Sequence, residues 1–93
     1  MNEKSYWHTY IVRCKDDTLY TGISNDLEER IKKHNLGKGA AYTRGRRPVE
    51  LICSERFATH KEAAQRECAI KKLTRQQKEN LIAFHKTHGK HNS

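Results

Sequence analysis

Proline, methionine and tryptophan each occur once in the 93 residues, and cysteine only three times. No apolar run approaches the ~20 residues of a membrane-spanning helix, and the opening MNEKSYWHTY lacks the apolar segment of a signal peptide. A cytoplasmic protein is expected. Cys14, Cys53 and Cys68 are far apart and form no C-x-x-C pair, which argues against zinc-ribbon and dithiol motifs and predicts reduced thiols packed in the interior. Hydrophobic residues are only 34% of the chain, so the core is small and a large organic cofactor would consume most of it. Acidic residues are also short, 11 against 19 Lys and Arg, leaving a net charge of +8 and a pI near 9.6. Such a balance favours polyanionic partners, with nucleic acid first and an acidic membrane surface second.

The length suits one domain, here 1–93, with a core over about 6–86 and a frayed tail over 87–93 rich in His, Lys and Asn. Low hydropathy with high charge approaches the disordered class, but apolar residues recur in blocks such as TYIV, LICSERF and LIAF, as folded chains require. Tyr6 to Cys14 and Leu19 to Ser24 are aromatic and β-branched runs around Lys15-Asp16-Asp17-Thr18, a β-hairpin signal. Asn25 or Asp26, with Glu28 or Glu29 three residues on, caps a helix that Gly37 ends near Leu36. Gly37 to Pro48 holds three of the five glycines and the one proline, with Lys38, Arg44, Arg46 and Arg47, and reads as an exposed, mobile, basic loop. Val49 to Phe57 has strand composition. Thr59 with Glu62 opens a helix to about Leu73, and Thr74 with Gln77 opens another from Arg75 to His85 or Lys86. The expected fold is α+β, a small three-stranded antiparallel sheet flanked by three helices in the order β-β-α-β-α-α.

Helical periodicity places Leu27, Arg30, Ile31 and His34 on one stripe, so Arg30 and His34 stand beside residues that must face the sheet. Ala63, Ala64 and Ile70 bracket Glu67, which puts a carboxylate amid an apolar face. A buried carboxylate needs a partner, here a cation such as Arg30 or Lys71, or a metal ion. Tyr10 and Tyr20 flank the hairpin. A three-residue loop pairing Lys15 with Leu19 puts both on one face, whereas a four-residue loop pairing Cys14 with Leu19 separates them.

Thr9-Tyr10-Ile11 and Tyr20-Thr21-Gly22, then Arg30 and His34 in a helix and Glu67 in a later one, resemble the GIY-YIG nuclease superfamily. The stretch from Tyr6 to Ile82 is similar to its small single-domain bacterial branch, the YhbQ-like or UPF0213 group. Thr9 replaces the first glycine and Thr21 the central isoleucine of the second motif, and neither position carries the family's chemistry. The resemblance implies that Tyr10, Tyr20, Arg30, His34 and Glu67 are catalytic, that Gly22 is the motif glycine, and that Glu67 binds the metal, Mg²⁺ or Mn²⁺. Asn80 is the candidate for the family's late asparagine.

These residue types suit phosphodiester hydrolysis, which needs an activated water and neutralised phosphate charge. Arg30 offers a fixed fork to phosphate; Tyr10 or Tyr20, whose anion a metal and a guanidinium favour, takes the water's proton; His34 orients a phosphate or shares that proton. Lys38, Tyr42, Arg44, Arg46, Arg47 and Lys71 form the expected nucleic-acid surface. The expectation is a metal-dependent endonuclease of low sequence specificity acting on nucleic acid, foremost DNA, in processing or repair. It is expected to be a monomer, with a protein partner as one source of specificity. The alternative is a non-catalytic nucleic-acid-binding module. Membrane binding is disfavoured, because the helices lack large apolar anchors.

Overall fold

The computed structural model describes residues 5–88. Its elements are β1 (Trp7–Cys14), β2 (Leu19–Ser24), α1 (Leu27–Asn35), α2 (Ala41–Arg44), β3 (Val49–Phe57), α3 (His60–Lys71) and α4 (Arg75–His88). The sheet is antiparallel in the order β2-β1-β3, so the first strand is central. Helices cover both faces. Tyr10, Val12 and Cys14 pack with Val49 and with Leu27 and Ile31 of α1, while Ile11 and Cys53 pack with Ile70 of α3 and Ile82 of α4. This explains why WHTYIVRC is apolar at consecutive positions, since a strand with both faces covered gains nothing from polar alternation.

In the hairpin Leu19 pairs with Arg13 and not with Lys15, a register two residues away from the three-residue loop considered above. The parity is unchanged, and Tyr10 and Tyr20 lie on the α1 face together. The turn closes through Cys14 and Thr18, with Asp17 in the left-handed region at φ 68° and Asp16 Oδ1 accepting from Thr18 N and Oγ1.

The caps act as their residues dictate. Asp26 accepts from Glu29 N at 3.3 Å, Thr59 from Glu62 N at 3.1 Å, and Thr74 and Gln77 exchange bonds in both directions at 2.9 and 3.1 Å. Gly37, at φ 80°, takes the left-handed turn after α1 that a side chain would resist. The last helix continues to His88, past the expected end, and the remainder of the expected tail, 89–93, lies outside the described residues.

Two expectations are corrected. Cys14 and Cys53 are buried, but Cys68 is exposed, because it lies 100° around α3 from Glu67 and off the stripe joining Ala63 to Ile70. The basic segment from Gly37 to Pro48 is only partly exposed: it contains the helical turn α2, and Thr43 within it is buried. Arg46 donates to Asp16 Oδ2 and the Tyr42 carbonyl, and Arg47 to the carbonyls of Arg44 and Asn35, so two of its arginines brace the loop itself. Among the described residues no helix is long and apolar enough to cross a membrane.

Candidate active site

The centre of the site is one oxygen. Tyr10 is fully buried, and its Oη lies 2.8 Å from His34 Nε2 and accepts from Arg30 Nε at 3.3 Å. Sequence spacing produces this convergence: Arg30 and His34 are one helical turn apart on α1, and Tyr10 is the central-strand residue over which that stripe passes. Gly22, directly across the ladder, makes room for the ring; a Cβ there would stand 2.6 Å from Tyr10 Oη and 2.8 Å from Cζ. The motif glycine is thus a steric requirement of the tyrosine opposite.

Tyr20 borders Tyr10, with ring centroids 6.5 Å apart, and meets His34 edge-on at 5.4 Å. Unlike Tyr10 it is half-buried. Its other face stacks on Tyr42 at 5.7 Å and 27°, and the Arg46 guanidinium lies over Tyr42 at 4.1 Å, so the basic segment joins the site through an aromatic stack. Arg30 is partly exposed along a groove of about 270 Å³ that Trp7, Asn25 and Lys33 also line.

Glu67 comes from α3, on the other side of the sheet. Its side chain is 23% exposed and its ion-pair partner is Lys71, one turn on at 3.2 Å, rather than Arg30. It makes no bond to Tyr10 but acts on it through its charge. Lys38 and Arg44 are exposed, as the basic surface requires. Asn80 is exposed on α4, accepts from Gln76 at 3.0 Å, and bonds to none of these groups.

Electrostatics modify the expected chemistry. Burial raises the Tyr10 pKa above the ordinary phenol value, outweighing the opposing bond and charge of Arg30, while Tyr20 and Glu67 add to the rise. The guanidinium therefore does not make Tyr10 an anion in the resting protein. Burial, with the charge of Arg30 second, lowers the His34 pKa and keeps the ring neutral. Both its nitrogens are engaged, Nδ1 with Thr43 Oγ1 at 2.8 Å, which leaves none for a phosphate.

Sequence reasoning missed Thr43 and Gly39. A Cβ on Gly39 would overlap the His34 ring, so the loop lies directly against the histidine. Thr43 carried no signal beyond a hydroxyl amid basic residues, and Gly39 only the Gly-Lys-Gly spacing that was read as looseness.

Comparison with known proteins identifies the family. The GIY-YIG catalytic domain profile matches residues 6–80. UPF0213 protein CPE1444 of Clostridium perfringens is 58% identical over 76 residues, 82% of each chain. UPF0213 protein YazA of Bacillus subtilis is 59% identical over 73 residues, 78% of this chain and 74% of the relative. The similarity extends to archaea, with NP_0776A of Natronomonas pharaonis 50% identical over 82% of this chain and 89% of that one. The solution NMR structure of UPF0213 protein BH0048 from Bacillus halodurans matches at a TM-score of 0.57 and 44% identity, covering 85% of this chain and 84% of that one. That of EF2693 from E. faecalis matches at 0.60 and 40%, covering 91% and 92%. The chain therefore belongs to the GIY-YIG catalytic-domain family, in its UPF0213 group.

Proposed function

We propose that this chain is a metal-dependent endonuclease hydrolysing phosphodiester bonds of nucleic acid, foremost DNA, with little sequence preference, in DNA processing or repair. The observation that carries the reading is the Tyr10 oxygen held by both a guanidinium and an imidazole, with that guanidinium also lining an open groove. A pure binding module needs charge at its surface but no such interior clasp on one arginine.

Arg30 is the group that receives the phosphate, its planar fork matching two phosphate oxygens. Tyr10 holds Arg30 and is itself closed to solvent. Tyr20, half-buried on the same face, is the phenol that water can reach. Acting as the general base, its oxygen accepts the water's proton. The water oxygen then bonds phosphorus, the bond to the leaving oxygen breaks with its electron pair, and that oxygen takes a proton from solvent.

Glu67 would hold Mg²⁺ or Mn²⁺. Among the described residues no three His, Cys, Asp or Glu side chains cluster, so a zinc site does not fit. One carboxylate does fit Mg²⁺, which keeps several waters and completes its shell with substrate phosphate. When bound, the ion would supply positive charge and acidify a bound water. Lys38 and Arg44, with Tyr42 and Lys71, supply contacts to the backbone that carry no base discrimination.

Duplex, single-stranded, nicked and branched DNA, incubated with Mg²⁺ or Mn²⁺ and wild-type or Glu67→Gln protein, tests this. The variant should lose ~10²-fold or more in rate, the scale of several kcal/mol of transition-state stabilisation. Its melting temperature should barely move, because an ion pair with an exposed lysine is worth only ~0–1 kcal/mol. A variant that cleaves like wild type sinks the metal-ligand assignment. Wild-type protein that binds every substrate and cleaves none sinks the nuclease in favour of the binding module.

A further inference from the structure

Each ring nitrogen of His34 can be donor or acceptor, so its two hydrogen bonds alone allow either tautomer. The next link in the chain decides. Thr43 Oγ1 lies 3.0 Å from the carbonyl oxygen of Ala40, which can only accept. The single hydroxyl proton of Thr43 is committed there, and its oxygen faces His34 as an acceptor. Nδ1 must then carry the ring proton, and Nε2 is bare. A bare Nε2 takes the Tyr10 hydroxyl as its donor, which turns a lone pair of Tyr10 toward Arg30 Nε–H.

The opposite tautomer fails at Tyr10. Its oxygen would meet two N–H donors, and its own proton would point into a closed interior with no acceptor, because the residue is fully buried. The surroundings support one arrangement: Thr43 is fully buried, the Ala40 carbonyl also receives Thr43 N at 3.1 Å, and Gly39 admits the loop against the ring.

We propose that Thr43 is a positioning residue of this site: by donating to the Ala40 carbonyl it fixes His34 as the Nδ1–H tautomer, and through Tyr10 it sets the orientation of the Arg30 guanidinium. The part played by Arg30 on phosphate rests on the proposed nuclease reading; the tautomer and the order of donors do not. Thr43 touches no substrate, and its effect on catalysis passes through three side chains.

Long-range ¹H–¹⁵N spectra of the histidine rings, together with the Arg30 Nε–H resonance, test this without any cleavage assay. Wild type should show His34 protonated on Nδ1 and bare on Nε2 near neutral pH. Thr43→Ser, which keeps the hydroxyl, should give the same pattern. Thr43→Val, which keeps the volume and loses the hydroxyl, should lose the fixed tautomer and shift the Arg30 resonance. In cleavage assays with Mn²⁺, Thr43→Val should lower kcat about tenfold with KM little changed, and Thr43→Ser should restore it, as expected for an effect on transition-state contacts.

An Nε2–H tautomer in wild type overturns the proposal, and that spectrum decides even if Thr43→Val does not fold. An unchanged ring and Arg30 resonance in a folded Thr43→Val overturns it as well. If wild type cleaves nothing, the nuclease reading fails while the spectra still decide the role of Thr43.

Discussion

Gly22→Ala sets two effects of opposite sign against each other. Glycine in a strand interior is destabilising by roughly 0.5–1 kcal/mol relative to alanine, so local reasoning expects the substitution to stabilise the protein. Packing says the reverse. The new Cβ would stand 2.6 Å from Tyr10 Oη, 2.8 Å from Cζ and 3.1 Å from Tyr20 Cε2, inside the distance at which something must shift. The Tyr10 ring has nowhere to go, being fully buried with its oxygen held at 2.8 Å by His34 and 3.3 Å by Arg30. Overpacking costs typically 1–3 kcal/mol, and a buried hydroxyl pushed off its partner adds about 1–3 kcal/mol. Setting these against the backbone gain, we expect a net loss of about 1–5.5 kcal/mol. At 4–8 °C per kcal/mol for a domain of this size, the lower bound already lowers the Tm by roughly 4–8 °C. Thermal and urea unfolding followed by circular dichroism measure this directly. A Gly22→Ala protein as stable as wild type, with the His34 ring resonances unmoved, would refute the steric account of the motif glycine.

Arg44→Ala should reduce the salt slope of duplex binding by about 1 unit without changing Tm, since Arg44 makes no side-chain bond among the described residues. Arg46→Ala should also cost the roughly 0.5–1 kcal/mol of an exposed cation–π contact, read as a lower Tm, because it leaves Tyr42 and Asp16; identical effects of the two variants would contradict the bracing role. His34 has a folded pKa below its unfolded value of about 6.5, so the stability it contributes is complete above that pH and is lost as pH falls toward the folded value. Urea midpoints against pH should therefore fall more steeply for wild type than for His34→Gln on the acid side of neutrality, and equal slopes would contradict this. Glu55 accepts from Arg66 at 2.6 and 3.2 Å and from His85 Nε2 at 2.7 Å, bonds that together overcome burial and lower its pKa. Glu55→Gln should cost about 1–3 kcal/mol, read in urea unfolding, and a neutral result would mean that the three groups do not tie α3 and α4 to β3.

The readable features were those that short-range rules govern. β2 and β3 begin and end where their composition changes, and all three long helices start at side chains able to cap them. Helical spacing also placed Arg30 and His34 on the core-facing stripe, and hairpin parity allowed both tyrosines one face. Depth was not readable. That Tyr10 would be closed to water depends on Gly22 lying opposite it, a fact of register across the hairpin. Thr43 escaped notice because its value lies in one contact with a ring nine positions away, in a segment whose glycines and charges suggested an exposed, mobile loop. Gly39 shows why that inference failed, since the missing side chain there serves close approach and not freedom.

The Tyr10 clasp is anchored to β1, the strand bonded on both edges and covered on both faces. Such a strand is the last to exchange its amide protons, opening only with the whole fold. The Tyr10 clasp therefore has no partly loosened form to visit: under denaturant, the His34 ring resonances and the folded fraction fall along one curve, and local motion at the site falls to the braced loop carrying Tyr42 and Arg46.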